Sequence, residues 1–168
     1  MIKHYRIHEV SGYIDWIYFF HAWGFSPRKT QTPEAMQLLQ EAKEMLELLD
    51  KNFQTHAVLR LMDANSEEND IWIEGTRFPF LRQQTAKEEE PYLCLSDFIR
   101  PSSCKITDKI GLFATTVDAE MEQLYTEDPY LHMLVKTLAD RLAEATAEKT
   151  HDTIRKEFQG IRPAVGYP

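Results

Sequence analysis

The chain has 168 residues, of which 43% are hydrophobic and 27% are charged, a composition typical of one soluble globular domain over residues 1–168. Its 27 acidic and 19 basic residues give a formal net charge of -8, which argues against a nucleic-acid-binding protein because such proteins need a basic surface. Two cysteines without a CxxC spacing predict a reducing cytoplasm, and the most apolar run, residues 13–25, is too short and too polar to span a membrane.

The first third of the chain predicts one strand and two helices. Residues 4–10 alternate sufficiently for a short strand, and residues 13–23 carry six aromatic side chains and predict the start of a helix. After a linker, Thr32-Pro33-Glu34 is typical of a helix start, because proline suits the first helical position. The apolar spacing that follows predicts an amphipathic helix over residues 34–53.

The rest of the chain predicts a sheet followed by a long helix. Residues 56–62 and 70–75 predict a β-hairpin, to which residues 77–81 add a strand, and 92–98 and 109–117 are further strand candidates. Residues 86–90 form a charge run expected to be solvated. A short helix over 118–126 precedes the longest one, which opens at Pro129, ends near Phe158 and is ~44 Å long. This order of elements predicts an α+β fold.

The long helix has two contrasting faces. At 100° per residue one stripe is apolar and is expected to face the core. It consists of Leu131, Leu134, Leu138, Leu142 and Ala145. Asp140, Glu144 and His151 lie roughly opposite and are expected to be exposed. Spacing alone favours a solvated surface with charge pairs along the helix.

Two further features suggest a ligand. The last residues, 160–168, place Arg162 directly before the stiff Pro163, and its planar guanidinium suits a carboxylate, although an ordinary C-terminal tail is the simpler alternative. Asp15 lies among aromatic residues, where a carboxylate must be paired or hydrogen-bonded, although a helix cap or a surface position would also account for it.

The histidines predict no metal site. His4 and His8 are four residues apart, but a strand would separate their side chains by ~13 Å, so they are not expected to share a metal ion.

Six segments in sequence order resemble one known family over nearly the whole chain. They are Tyr13-Ile14-Asp15-Trp16 with Phe19-Phe20 and Trp23, Leu81-Arg82-Gln83-Gln84, Cys94-Leu95-Ser96-Asp97-Phe98, Ile110-Gly111-Leu112-Phe113-Ala114, the run from Leu138 to Ala145, and Arg162-Pro163-Ala164-Val165-Gly166-Tyr167-Pro168. This set resembles the activation domain of cobalamin-dependent methionine synthase. The resemblance implies a bent, largely antiparallel β-sheet flanked by long helices.

The resemblance also implies a chemistry, the reductive methylation of cob(II)alamin with S-adenosylmethionine as the methyl donor. Asp15 would hold the amino group of S-adenosylmethionine and Arg162 its carboxylate. Backbone groups around Ala164 and Gly166 would meet the adenosyl portion, and Tyr167 would lie near the cobalt and the transferred methyl group as the catalytic residue. The implied protein is a module of a methyltransferase that does not turn over alone.

The implied partners are the cobalamin-binding domain of methionine synthase and a flavodoxin-like electron donor. Asp140, with Glu144 beside it, would contact the cobalamin domain when that domain docks. Longer members of the family continue beyond the final motif, so this chain resembles either a compact variant or one truncated at its C-terminus. The alternative function is a docking module that caps the cobalamin domain or receives the flavodoxin without binding S-adenosylmethionine itself.

Overall fold

The computed structural model describes residues 1–85 and 91–161. The predicted charge run at 86–90 and the final motif at 162–168 lie outside the described residues. The chain divides into two compact units, of which unit 1 comprises Met1–Val58 and Phe113–Thr153. Unit 2 comprises Leu59–Leu112 and the chain from Ile154 onward. The prediction of one domain over 1–168 stays a prediction.

The described chain contains five strands and four α-helices, joined by 3-10 turns. The strands are β1 (Ile2–Arg6), β2 (Gln54–Glu67), β3 (Asp70–Ile73), β4 (Thr76–Pro79) and β5 (Asp108–Val117), and the helices are α1 (Ile7–Val10), α2 (Trp16–Ala22), α3 (Pro33–Leu49) and α4 (Pro129–Phe158). The strands form one sheet in the order β1-β2-β3-β4, with β5 also paired to β2. β1 with β2, β2 with β3, and β3 with β4 are antiparallel, which confirms the predicted α+β class. None of the helices in the described ranges is both long and apolar enough to cross a membrane.

The core of unit 1 is built around α4, whose apolar stripe follows the predicted spacing. Leu134, Leu138, Leu142 and Ala145 are all buried, and Leu131 is partly buried at the edge of the same cluster. Helix α3 contributes a second stripe at three- and four-residue intervals. Its buried residues are Ala35, Leu38, Ala42, Met45, Leu46 and Leu49. Two amphipathic helices therefore bury their apolar faces in one cluster.

One buried hydrogen bond joins α4 to the sheet inside this core. The hydroxyl oxygens of Thr146 and Thr55 are 2.8 Å apart, and both side chains are fully buried. Thr146 also donates to the carbonyl oxygen of Leu142, at 2.7 Å. Since a hydroxyl has one proton, Thr55 is the donor in the bond to Thr146. This pair satisfies both buried hydroxyls and fixes where α4 lies along β2.

The core of unit 2 is smaller and is formed by two consecutive hairpins. Ala64, Ile71 and Ile73 form its buried centre. The β3–β4 turn is Glu74-Gly75, and both residues have positive φ, 47° and 83°, as a two-residue hairpin with the twist of type I′ requires.

The predicted pairing of residues 56–62 with 70–75 is wrong. Residues 64–67 of β2 pair with 70–73, while 54–58 pair with β1. The reason is the turn at Glu68-Asn69, where Glu68 has φ 52° and the chain reverses within two residues. Loop length sets the register of a hairpin, so the short turn brings the far end of β2 against β3.

The predicted strand over 4–10 ends at Arg6, because two carboxylates accept hydrogen bonds from the backbone N–H groups at and after this residue. The Glu9 side chain accepts from the Arg6 N–H at 2.8 Å, and Asp50 accepts from the His8 N–H at 3.0 Å. These bonds replace strand pairing and start α1. The predicted helix over 118–126 is a 3-10 turn at Ala119–Gln123.

The predicted strand over 92–98 is instead a 3-10 turn at Leu95–Phe98. Asp97 accepts from the Cys94 N–H at 2.9 Å and from both terminal nitrogens of Arg82 at 2.7 Å. These hydrogen bonds, that of Arg82 foremost, hold the pKa of Asp97 below its usual value. Cys94 itself is fully buried, with its Sγ 3.7 Å from the Asn69 carbonyl oxygen, whereas Cys104 is exposed.

The central position of Leu138 yields a test of the unit 1 core. Leu138→Ala should lower the free energy of unfolding by ~2–5 kcal/mol, because a fully buried side chain is replaced by a cavity. Lys136→Ala, at an exposed position of the same helix, should change it by less than about 0.5 kcal/mol. Urea unfolding followed by circular dichroism measures both, and equal losses in the two variants would contradict the assignment of the core face.

Candidate functional site

Asp15 is the N-cap residue of α2 and is exposed to solvent. Its backbone is extended, with φ -81° and ψ 101°, and its Oδ1 accepts from the N–H of Ile17 at 2.9 Å. Within the described chain the hydrogen bond of this side chain uses Oδ1, and a carboxylate has a second oxygen with its own lone pairs. Asp15 is therefore a helix cap, as the alternative interpretation predicted. The cap does not use its Oδ2.

Aromatic packing holds the helix that Asp15 caps. Phe19 is fully buried, and its ring contacts those of Trp16, Phe20 and Trp23 at centroid distances of 5.3, 5.9 and 6.3 Å. These edge-on and tilted contacts fix the direction of α2. The aromatic segment is thus a scaffold that presents Asp15 from its first turn.

Two residues flanking Asp15 contact α4. The Tyr13 hydroxyl donates to Asp152 Oδ2 at 3.2 Å, and the Arg141 guanidinium lies 5.8 Å from the centroid of the Tyr18 ring. Lys149 Nζ lies 5.7 Å from the Tyr13 ring centroid, within cation–π range. The segment carrying Asp15 is therefore attached to α4 on both sides of the carboxylate.

Asp140 and Glu144 are both exposed on α4, as predicted. They differ in their partners, because Glu144 forms an ion pair with Arg141, the residue that also contacts Tyr18. The exposure predicted for His151 is wrong. His151 is half-buried, and its ring meets the Phe113 ring edge-on at 5.7 Å. Phe113 belongs to β5, so this strand partly covers the face of α4 opposite the apolar stripe.

The other predicted site residues, Arg162, Ala164, Gly166 and Tyr167, lie outside the described residues. The chain leading to them leaves α4 through Gln159, whose φ of 53° is left-handed, as is usual just after a helix end. A Cβ added at Gly160 would lie 3.2 Å from Ile154 Cγ2, so this glycine permits the chain to turn closely against the helix end.

A groove of about 570 Å³ lies beside the Asp15 segment, between α3 and the residues from α1 to the start of α2. Its floor includes the apolar side chains of Ile7, Trp16 and Leu46, and its rim includes Lys43 and Glu47. Its volume falls within the range of small-molecule sites.

Sequence reasoning missed two cations on α4 that lie beside the site. Arg141 pairs with Glu144, and Lys149 lies over Tyr13 while donating to the Glu9 carbonyl oxygen at 3.0 Å. The three-residue spacing of Arg141 and Glu144 was a usable signal for the first. Nothing in the local pattern indicated the second, because its partners are about 140 residues away in sequence.

Comparison with known proteins gives consistent matches. The sequence model of the family described as vitamin B12 dependent methionine synthase, activation domain, matches residues 6–168. Among solved structures, the chain is similar to a crystal structure of the MetH reactivation domain bound to AdoHcy, with 34% sequence identity and a TM-score of 0.84. The match covers 95% of this chain and 56% of that chain.

The aromatic scaffold allows a test by pH titration. Tyr130 packs against Trp23 and donates to Glu41, and burial together with this carboxylate raises the pKa of Tyr130 to about 12. Glu41→Gln should move that pKa back toward 10, because a neutral amide does not oppose formation of the phenolate. The Cζ chemical shift of Tyr130 measures the titration. Glu44→Gln is the matched control one turn along α3 and should leave it unchanged, whereas an unchanged titration in Glu41→Gln would contradict the contact.

Proposed function

We propose, because the chain belongs to the vitamin B12 dependent methionine synthase activation-domain family, that it binds S-adenosylmethionine as the methyl donor for reactivating cobalamin carried by a partner domain. The observation that carries the proposal is the similarity at 34% identity to a reactivation domain bound to AdoHcy, the molecule that S-adenosylmethionine becomes when its methyl group leaves. The chain is then a module of a methyltransferase and needs its partners for turnover.

Asp15 is the proposed anchor for the ammonium group of S-adenosylmethionine. The carboxylate is exposed, its position is set by the cap of α2, and its second oxygen can accept from a ligand at no cost to the cap. A charge-assisted hydrogen bond between ammonium and carboxylate is short and strong, and it selects the methionyl end of the ligand.

The final motif supplies the remaining proposed contacts. Arg162 binds the ligand carboxylate through two parallel N–H donors, so that the zwitterion is held at both ends. The backbone around Ala164 and Gly166 meets the adenosyl portion, since Gly166 lacks a side chain that would keep the ligand away. Tyr167 borders the transferred methyl group as the proposed catalytic residue.

The proposed chemistry divides between the ligand and the protein. When bound, S-adenosylmethionine would supply a sulfonium methyl group and leave as AdoHcy, and a flavodoxin-like donor would supply the electron that methylation of the partner's cob(II)alamin requires. The residues of this chain hold the methyl donor in one orientation, with Tyr167 proposed to lie beside the methyl group. Orientation of this kind is a large part of what a protein contributes to group transfer.

Asp140 and Glu144 form the proposed docking edge for the cobalamin domain. Asp140 is the better candidate for a direct contact, because Glu144 is already paired with Arg141. A histidine released from cobalt in the partner domain gains from a nearby carboxylate, which stabilises its protonated form. We place these reactions in a reducing cytoplasm, consistent with the free thiols of Cys94 and Cys104.

The zwitterion clamp can be tested by calorimetric titration with S-adenosylmethionine. Arg162→Ala should weaken binding by ~2–5 kcal/mol, because the ligand carboxylate loses its partner inside the site. Arg162→Lys should recover only part of this loss, since an ammonium group lacks the planar pair of donors. Asp15→Asn should weaken binding by a comparable amount through the other end of the ligand.

The matched control is Arg60→Ala, which removes an exposed arginine paired with Glu74 in unit 2 and should leave the affinity unchanged. Equal affinity in wild type and Arg162→Ala would rule out the clamp. If wild type itself does not bind S-adenosylmethionine, the chain is a docking module, which is the alternative function.

The docking edge is tested with an isolated cobalamin-bearing domain. Asp140→Ala should weaken the association by ~1 kcal/mol and make it less sensitive to salt, while the free energy of unfolding changes by less than about 0.5 kcal/mol. Glu47→Ala removes an exposed acid of α3 and should leave association unchanged. Sedimentation velocity measures the association, and unaltered docking in Asp140→Ala would exclude this edge.

A further inference from the structure

An unexpected chain of hydrogen bonds lies across the β1–β2 pair. His4 and His56 are directly opposite each other in the antiparallel register, and their Nδ1 atoms are 2.7 Å apart. The centroids of the two rings are only 4.9 Å apart, so both Nδ1 atoms lie in the space between the rings. On its other side, His56 Nε2 is 2.7 Å from Asp118 Oδ1.

The carboxylate of Asp118 determines which ring nitrogens carry protons in this series of hydrogen bonds. Asp118 Oδ1 lies against His56 Nε2, and Asp118 Oδ2 accepts from the Gln54 N–H at 2.7 Å. A carboxylate oxygen beside a ring nitrogen acts as the acceptor, so His56 Nε2 carries the proton and donates it to Asp118. In the neutral ring this leaves the His56 Nδ1 as a lone pair facing His4.

We propose that His4 and His56 form a two-histidine site for a divalent transition metal ion such as Zn²⁺, with Asp118 orienting His56 from behind. A histidine that binds a metal through one ring nitrogen commonly donates its other N–H to a carboxylate, and His56 is prepared in this way. Two imidazoles suit zinc, nickel and copper, whereas magnesium and calcium prefer oxygen ligands. Water molecules complete the coordination.

The rings need to move little to admit the ion. Zinc–nitrogen bonds of ~2.0–2.1 Å at a tetrahedral angle place two ligand nitrogens roughly 3.3 Å apart, which is about 0.6 Å more than in the hydrogen-bonded pair. His4 is exposed on β1 and can rotate, while His56 is held by Asp118. When the ion enters, the proton between the rings moves to His4 Nε2, so both ligands remain neutral imidazoles.

The proposed site has two protein ligands. No group of three or more His, Cys, Asp or Glu side chains suited to a metal ion occurs in residues 1–85 and 91–161. The sequence offered no hint either, because His4 and His56 are 52 residues apart and meet only through the β1–β2 register.

The test is a calorimetric titration of the full chain with Zn²⁺, in parallel with nitrogen-15 NMR of the histidine rings. We expect one saturable zinc ion per chain, a shift of both Nδ1 resonances and no competition from Mg²⁺. His4→Gln and His56→Gln should each weaken binding at least about tenfold, and Asp118→Asn by ~10–100-fold, since it removes the group that orients His56. Binding should also raise the midpoint of thermal unfolding as the zinc concentration rises.

The matched control is His21→Gln, which removes an exposed histidine of α2 and should leave zinc affinity unchanged. His4→Gln, at an exposed position of β1, keeps the test decisive if a substitution at the half-buried His56 prevents folding, which circular dichroism reveals. No saturable binding by wild type, or equal affinity in wild type and His4→Gln, overturns the proposal.

Discussion

The position of α4 along β2 is the constraint on which the rest of unit 1 depends. The apolar stripe through Leu138 supplies the hydrophobic attraction between the helix and the sheet. Because that attraction is not directional, it would allow α4 to shift by one turn along β2. The hydrogen bond between Thr55 and Thr146 does not allow this shift. Once this bond fixes the helix, Asp140 and Glu144 are turned outward together. The same helix then offers Arg141 and Lys149 to the segment that carries Asp15.

The position of Asp15 depends on its own helix cap and on the packing of the segment around it. Asp15 has a local reason for its position, the cap of α2, and the aromatic cluster around Phe19 prevents that helix from reorienting. Contacts from Tyr13 and Tyr18 to α4 then set the segment in place on both sides of the carboxylate. A binding group whose own backbone is already held loses little conformational freedom when a ligand arrives, which favours affinity.

The sequence predicted what depends on local pattern and missed what depends on distant partners. The long helix and its buried stripe were predictable because periodicity reports a face directly. The register of β2 was not, since it follows from a two-residue turn at Glu68 with a left-handed backbone that glutamate rarely adopts. For the site, Asp15 and Arg162 were identified through resemblance, whereas the pairing of Glu144 with Arg141 and the meeting of His4 with His56 needed three-dimensional coordinates.

The different surroundings of the two cysteines make them natural reporters of local opening in unit 2. Both thiols belong to unit 2, and of the two only Cys104 is accessible in the folded state, because Cys94 is buried with its Sγ against the carbonyl oxygens of Asn69 and Phe80. A thiol reagent should therefore modify Cys104 at once and reach Cys94 only when the packing around Cys94 opens. The rate of the second, slower modification measures the opening of unit 2 alone, without denaturant and without any introduced label.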